Sequence, residues 1–101
     1  MDIDYTHLPQ HIREDFRMYI EKGVPQGSFM TALLSNNLKE TFARANRRNR
    51  ASIPAYVDFL YWSVPSNIWG SEEKVEAHIR KKQILRNQEA LIEQDIGEYN
   101  D

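Results

Sequence analysis

Cysteine is absent from the 101-residue chain, and this single absence removes several kinds of chemistry. Without thiols the protein can form no disulfide, no iron–sulfur cluster, no thiolate zinc site and no cysteine nucleophile. Three histidines remain as imidazole ligands, His7, His11 and His78, but the H-E-x-x-H zinc motif does not occur. We therefore expect no metal and no cofactor, and we expect these histidines to be solvated surface residues.

The motifs of the common enzyme classes are missing as well. The sequence contains no G-x-S-x-G elbow, no G-x-G-x-x-G loop and no P-loop. Neighbouring carboxylates such as Glu72 and Glu73 diverge around a helix, whereas acid–base catalysis requires two carboxyl groups that face one cleft. The sequence therefore predicts a protein that is not an enzyme and has no catalytic residues.

Glycine and proline are scarce, with four of each, and no apolar run approaches the roughly 18 residues of a membrane-spanning helix. The N-terminal stretch has neither the basic nor the apolar region of a signal peptide. Hydrophobic residues at 41% and charged residues at 28% are typical of a soluble globular domain. These features predict one domain, residues 1–101, without a membrane span and with a cytoplasmic location.

Helical periodicity is the dominant pattern in the chain. Apolar residues recur every three or four positions, which predicts an all-α fold: a compact bundle of four or five helices with a long C-terminal helix. The predicted segments are residues 9–22, a short helix capped by Ser28, a helix from Leu38 to Ala45, a helix around Tyr56 and a helix from 72 to about 96. Acidic residues near the last C-terminus oppose the helix dipole, so we expect residues 97–101 to form a frayed tail.

Pro54 leaves two interpretations of the fourth helix open. The helix either begins near Ser52 with Pro54 in its first turn, or begins near residue 47 and is kinked at the proline. Asn46 and Asn49 are both suitable N-cap residues for the longer version. The first interpretation is the simpler one.

Four arginines within seven residues form the one concentrated basic patch: Arg44, Arg47, Arg48 and Arg50. The segment 24–71 carries five basic and two acidic residues, a net charge of +3, in a chain whose total is −2. Arg44, Arg47 and Arg48 are spaced to share one helical face, where guanidinium groups suit carboxylate or phosphate partners. Three interpretations stay open: a solvated helix end, a site for an acidic protein, or a nucleic-acid contact within a loose helix-turn-helix outline.

Two further surfaces are predicted to bind macromolecules. Adjacent Tyr61 and Trp62 cannot both point inward from one helix, so one of them should be an exposed anchor for a partner. In the last helix, a basic middle precedes an acidic end, and four apolar residues repeat at a spacing of seven: Ile84, Leu85, Leu91 and Ile92. Either this stripe packs on its own domain, or it forms the seam of an antiparallel homodimer.

Four short motifs give the chain a family resemblance. They lie at Leu8-Pro9, Tyr19 to Phe29, Leu34 to Leu38 and Trp69 to Ser71. They read Leu-Pro, Tyr-Ile-Glu-x-Gly-x-Pro-x-Gly-Ser-Phe, Leu-Ser-Asn-x-Leu and Trp-Gly-Ser, and the match covers about residues 7–80. This pattern resembles a family of small proteins of tailed phages and prophages that has no assigned activity. The resemblance implies phage origin and supplies no functional residues.

By analogy with other small acidic phage proteins, the leading functional expectation is a non-catalytic phage accessory protein. Such a protein would bind and modulate or inhibit a host protein or nucleoprotein complex in the host cytoplasm, and an anti-defence inhibitor of the anti-CRISPR type is the most specific version. The alternative is a small nucleic-acid-binding regulator that uses the arginine cluster.

Overall fold

A computed structural model describes the backbone of residues 2–99 and the side chains of residues 2–91. Five α-helices and one short 3-10 helix follow one another, and no strand occurs in the described part. The helices are α1 (Gln10–Lys22), α2 (Ser28–Leu34), α3 (Leu38–Arg44), α4 (Arg47–Ser63) and α5 (Glu72–Tyr99), with the 3-10 helix at Ser66–Ile68 between the last two. The predicted all-α architecture with a long C-terminal helix is confirmed.

The core is built around large side chains of α1 and α4. Phe16 and Tyr19 of α1 and Tyr56 and Leu60 of α4 are fully buried, and the Phe16 and Tyr56 ring centroids are 5.7 Å apart. Fully burying a side chain of this size contributes about 1.5–3 kcal/mol. α3 contributes none of the remaining core residues, which come from α1, α2, α4, α5 and the segments next to them: Leu8, Ile12, Ile20, Phe29, Met30, Leu33, Leu34, Ile53, Phe59, Val64 and Val75.

Two predicted helix starts are shifted by one residue. Pro9 lies in the N-cap position and α1 begins at Gln10, so the proline precedes the first turn. Gly27 is the N-cap of α2, and Ser28, predicted to be the cap, is the first helical residue and makes no capping bond. Residues 35–37 separate α2 from α3, with Asn36 in the left-handed region at φ 60°.

The longer version of the fourth helix is the correct one. α4 begins at Arg47 and continues through Pro54, so the simpler interpretation, a start near Ser52, is wrong. Asn46 provides the cap, because its side-chain oxygen accepts a hydrogen bond from the Asn49 N–H at 2.8 Å. This bond satisfies one of the N–H groups that a helix start leaves without a partner.

α5 is held to the C-terminus of α1 and then continues past the body. The Gly23 backbone, at φ 65°, lies against Lys82 of α5, and the Arg86 guanidinium donates to the Lys22 carbonyl. Residues 83–91 are all exposed, and the molecule measures 55 × 27 × 23 Å. The helical backbone reaches Tyr99, beyond the predicted end near residue 96. Residues 100 and 101 of the predicted frayed tail lie outside the described residues.

Across the described residues, no helix has both the length and the apolar character required to cross a membrane.

Candidate partner-binding surface

An exposed apolar groove runs between α3 and α4. Leu38 of α3 and Val57 and Tyr61 of α4 form its rim, and all three are exposed. Its floor contains Leu33, Ile53 and Trp69, and the groove has a volume of about 400 Å³. We call this feature the α3–α4 groove. Its apolar rim is accessible to another molecule.

The short α3 explains why the rim is exposed. The four-residue spacing of Leu38 and Phe42 is typical of a buried helix face, but both are exposed, and Thr41 is the residue that α3 buries. The Thr41 hydroxyl donates to the Asn37 carbonyl at 2.6 Å, so its polar group is satisfied inside the fold. α3 therefore turns its apolar side chains outward.

Tyr61 and Trp62 are both exposed, at 67% and 78% respectively. Their rings pack edge to face with centroids 4.8 Å apart. The sequence prediction required only one of the two to be exposed, and the structure places the pair together beside the groove. An edge-to-face pair restricts the ring rotamers, which reduces the entropy that is lost when a partner covers them.

The arginine cluster spans the junction between α3 and α4. All four arginines are exposed, but they do not share one helical face as predicted: Arg44 is the last residue of α3, whereas Arg47, Arg48 and Arg50 lie in the first turn of α4. The short Ala45–Asn46 connection separates the two groups because Asn46 begins a new helix there.

Electrostatics differ between the two halves of the arginine cluster. Arg44 stabilises the C-terminus of its helix and donates to Glu40 at 3.1 Å. Within the described residues, Arg47 and Arg48 have no ion-pair partner, and they lie at the positive end of the α4 dipole. A solvated C-terminal helix end therefore does not describe these arginines, and their position favours an anionic group of another molecule.

A continuous stripe on α4 links the arginines to the groove. Arg50, Pro54, Val57 and Tyr61 are exposed at spacings of four, three and four residues, which places them on one side of the helix. The Arg50 side chain also reaches the Phe42 carbonyl of α3, at 3.4 Å. One surface thus presents apolar residues at one end and exposed positive charge at the other.

A small hydrogen-bond network fixes the start of α4 on α1. Asn49 Oδ1 accepts from His11 Nε2 at 3.0 Å and from the Tyr56 hydroxyl at 2.8 Å. Burial raises the pKa of Tyr56, so its hydroxyl stays protonated and available as a donor. His11 therefore has a structural role: it positions the helix that carries the arginines.

His78 is buried, which corrects the prediction that all three histidines are solvated. Its Nε2 donates to the Tyr19 carbonyl at 2.8 Å, and burial is the main cause that lowers the pKa of its imidazole. His78 also lines a groove of about 800 Å³, together with acidic Glu21 and basic Lys81. Among the described residues, no group of three or more His, Asp or Glu side chains has a geometry that could hold a metal ion.

The predicted dimer-seam residues lie on the part of α5 that extends past the body. Ile84, Leu85 and Leu91 are 50%, 43% and 60% exposed, so they do not pack on their own domain. The side chain of Ile92 lies outside the described residues. The alternative in which this stripe belongs to the core is therefore wrong for the three described side chains.

Sequence reasoning missed three residues of the surface: Leu38, Phe42 and Val57. One signal was available, since α4 contains more apolar and aromatic residues than a single buried face can hold. The surplus had to be exposed, but nothing in the sequence indicated that it would meet the exposed residues of α3.

Searches of protein-family models, curated proteins and solved structures found no match to this chain. The function is therefore inferred from the surface described above, and the resemblance to small phage proteins stays a prediction.

Proposed function

We propose that this protein is a non-catalytic interaction protein that binds a host protein or nucleoprotein complex through the α3–α4 groove and the arginine cluster. The observation that carries the proposal is the exposed Tyr61–Trp62 pair beside an apolar groove. Tyrosine, tryptophan and arginine are the residues most enriched among the energetic anchors of protein interfaces.

The charge of the surface indicates the chemistry of the partner. Arg47 and Arg48 make no ion pair among the described residues, and Arg50 lies on the same side of α4 as Val57 and Tyr61. A fitting partner therefore presents apolar side chains to the groove and carboxylates or phosphates to the arginines. An acidic protein surface meets both requirements.

The finer form of the proposal is that the protein is a phage accessory factor that inhibits host defence in the manner of an anti-CRISPR protein. It is supported by the motif resemblance from Leu8 to Ser71 and by a surface suited to proteins and nucleoproteins alike. Binding to a purified CRISPR effector complex, with inhibition of target cleavage, tests this form directly.

A nucleic-acid-binding regulator is the second candidate, favoured by the unpaired Arg47 and Arg48 at a helix N-terminus. Against it, α3 would be the recognition helix of the helix-turn-helix outline, and it has only seven residues and exposes apolar Leu38 at its start. Recognition helices read bases with polar side chains near their N-terminal end. The α3–α4 surface therefore suits a protein better than a DNA groove.

The test is affinity capture from host lysate with the intact chain and with a Tyr61→Ala/Trp62→Ala variant. We expect the variant to lose at least about 30-fold in affinity for the captured partner, because the loss of even one energetic anchor costs about 2 kcal/mol or more. His7→Ala, which removes an exposed ring elsewhere, is the matched control and should bind normally.

Salt dependence separates the two candidates. Direct binding to duplex or single-stranded nucleic acid weakens steeply as salt rises, in proportion to the number of phosphates neutralised. If the chain binds nucleic acid alone at low salt, and Arg47→Glu/Arg48→Glu abolishes this binding while Tyr61→Ala/Trp62→Ala does not, the regulator is correct and the protein-binding proposal is wrong.

A further inference from the structure

The described side chains in the distal half of α5 are exposed. Among the described residues, the most C-terminal hydrogen bond from α5 to the body is the one from the Arg86 guanidinium to the Lys22 carbonyl. Beyond it the helical backbone runs to Tyr99, and the described side chains there, residues 87–91, are exposed. A helical segment of this length is marginal in water when it packs against nothing.

The exposed side of α5 is apolar and continuous across this boundary. Ile84, Leu85, Gln88 and Leu91 lie on one side of the helix, and the same side extends back to Ala77 and Lys81. It forms a shallow groove between Ala77 and Gln88. Lys82, which contacts the body, lies about a third of a turn from Gln88, and the side that runs from Ile84 to Leu91 is exposed. At the N-terminal end of this side, Ala77 and Lys81 also line the groove that Glu21 borders.

We propose that a second copy of the chain covers this side, with the two α5 helices antiparallel and Gln88 at the two-fold axis. In this register residue i faces residue 176 − i of the other copy. Leu85 then meets Leu91, Gln88 meets Gln88 and Lys81 meets Asp95. The interface is isologous, so each contact occurs twice.

Charge complementarity selects the antiparallel arrangement. The middle of α5 is basic, with Arg80, Lys81 and Lys82, and its end is acidic, with Glu93, Asp95 and Glu98. An antiparallel pair places the acidic end of one helix beside the basic middle of the other, whereas a parallel pair places like charges together. The basic neighbour also offsets the unfavourable position of carboxylates at a helix C-terminus.

The mass of the protein in solution tests the dimer. Sedimentation equilibrium should give two chains for the full-length protein and one chain for Leu85→Glu/Leu91→Glu. We expect about a 100-fold or greater loss of dimer affinity in this variant, because unpaired charges are costly to bury. The matched control, Gln83→Glu/Ala90→Glu, adds the same charge on the opposite side of the helix and should remain a dimer.

Two results would overturn the dimer. One is a full-length protein that stays monomeric up to millimolar concentration, and the other is a dimer that the Leu85→Glu/Leu91→Glu variant leaves intact. Neither result depends on the proposed partner surface, since Tyr61 and Trp62 lie on α4.

Because the chain lacks cysteine, single cysteine variants test the register without cross-links from native cysteines. Gln88→Cys should form a covalent dimer on oxidation, since the two Cα atoms lie within the roughly 4–7 Å that a disulfide spans. Lys81→Cys alone should not cross-link, whereas a mixture of Lys81→Cys and Asp95→Cys chains should. Cross-linking of Lys81→Cys with itself would indicate a parallel pair and overturn the proposal.

Discussion

At the scale of single residues, His78 shows how a polar side chain becomes part of the core. Its Nε2 donates to the Tyr19 carbonyl, and its ring lies 4.8 Å from the Tyr19 ring. Burial lowers the pKa of the imidazole from its usual 6.5, and the neighbouring charges of Lys82 and Lys81 lower it further. The folded state therefore favours the neutral imidazole of His78 over the protonated one.

This preference predicts a pH dependence of stability. The depressed pKa in the folded state means that the contribution of His78 is fully present above pH 6.5 and is lost as the pH falls below that value. Urea denaturation at pH 7.5 and pH 5.5 should show a loss of unfolding free energy in the wild type and a smaller loss in His78→Gln. His7→Gln should behave as the wild type, and a wild-type-like loss in His78→Gln would contradict the assignment.

Residue chemistry predicted part of the candidate site and not the rest. The exposure of Tyr61 or Trp62 followed from their adjacency, because neighbours on a helix point in different directions. The burial of Thr41 in place of Leu38 did not follow, since the hydroxyl bond to the Asn37 carbonyl is a local bond within one helical turn and does not determine which side of α3 is covered. A local pattern cannot report which side of a two-turn helix the rest of the chain will cover.

At the scale of helices, the contact between α1 and α5 depends on a glycine. Gly23 ends α1 in the left-handed region, and its N–H and that of Val24 close the last turn on Tyr19 and Met18. A Cβ at position 23 would lie 2.4 Å from the Lys82 Cβ. The glycine therefore sets how closely α5 approaches.

Gly23→Ala should destabilise the protein by about 2 kcal/mol or more. The left-handed backbone alone costs an alanine about 1–3 kcal/mol, and the contact with Lys82 adds to this. Gly27→Ala is the control, because a Cβ there meets nothing within 4 Å, and it should cost less than about 1 kcal/mol. Equal urea midpoints for the two variants would show that the close approach of α5 to Gly23 does not contribute to stability.

The helix boundaries near Pro54 could not be settled from local rules. Proline removes one backbone donor and disfavours a helix interior by about 3 kcal/mol, which made a start near Ser52 the simpler interpretation. The burial of Ile53, Tyr56 and Leu60 and the Asn46 cap together outweigh that cost. Long-range packing decided the length of α4, and with it the position of Arg47 and Arg48 at a helix start.

At the scale of the whole molecule, the protein consists of a packed body and a helix that extends beyond it. The all-α class and the long last helix were predictable because helix formation depends on local features of the sequence. These features are the spacing of the apolar residues and the absence of glycine and proline between residues 72 and 96. The position of that helix against the body was not predictable, since it depends on contacts between residues far apart in sequence, such as Gly23 with Lys82.

A chain that ends at Arg86 should keep the stability of the body. Residues 87–91 contribute no buried side chain, so the unfolding free energy should change by less than about 0.5 kcal/mol under conditions where the full chain is monomeric. A chain that ends at Ile79, which also lacks the Lys82 and Arg86 contacts, should be clearly less stable. Urea denaturation at two protein concentrations makes the comparison.

Raising the concentration should stabilise only the full-length protein if the antiparallel dimer forms, because mass action favours the associated state. A truncated chain that showed the same concentration dependence would place the interface elsewhere than on α5.

The two tryptophans lie in contrasting surroundings: Trp62 is exposed beside Tyr61, and Trp69 is half-buried in the floor of the α3–α4 groove. Indole fluorescence is sensitive to water, so the unmodified chain carries two optical reporters. Trp69→Phe would leave emission from Trp62 alone, which shifts to the blue and loses access to iodide when a partner covers it. Trp62→Phe would leave emission from Trp69 alone, which reports unfolding at the edge of the core. Partner binding and unfolding can thus be recorded separately, without a dye.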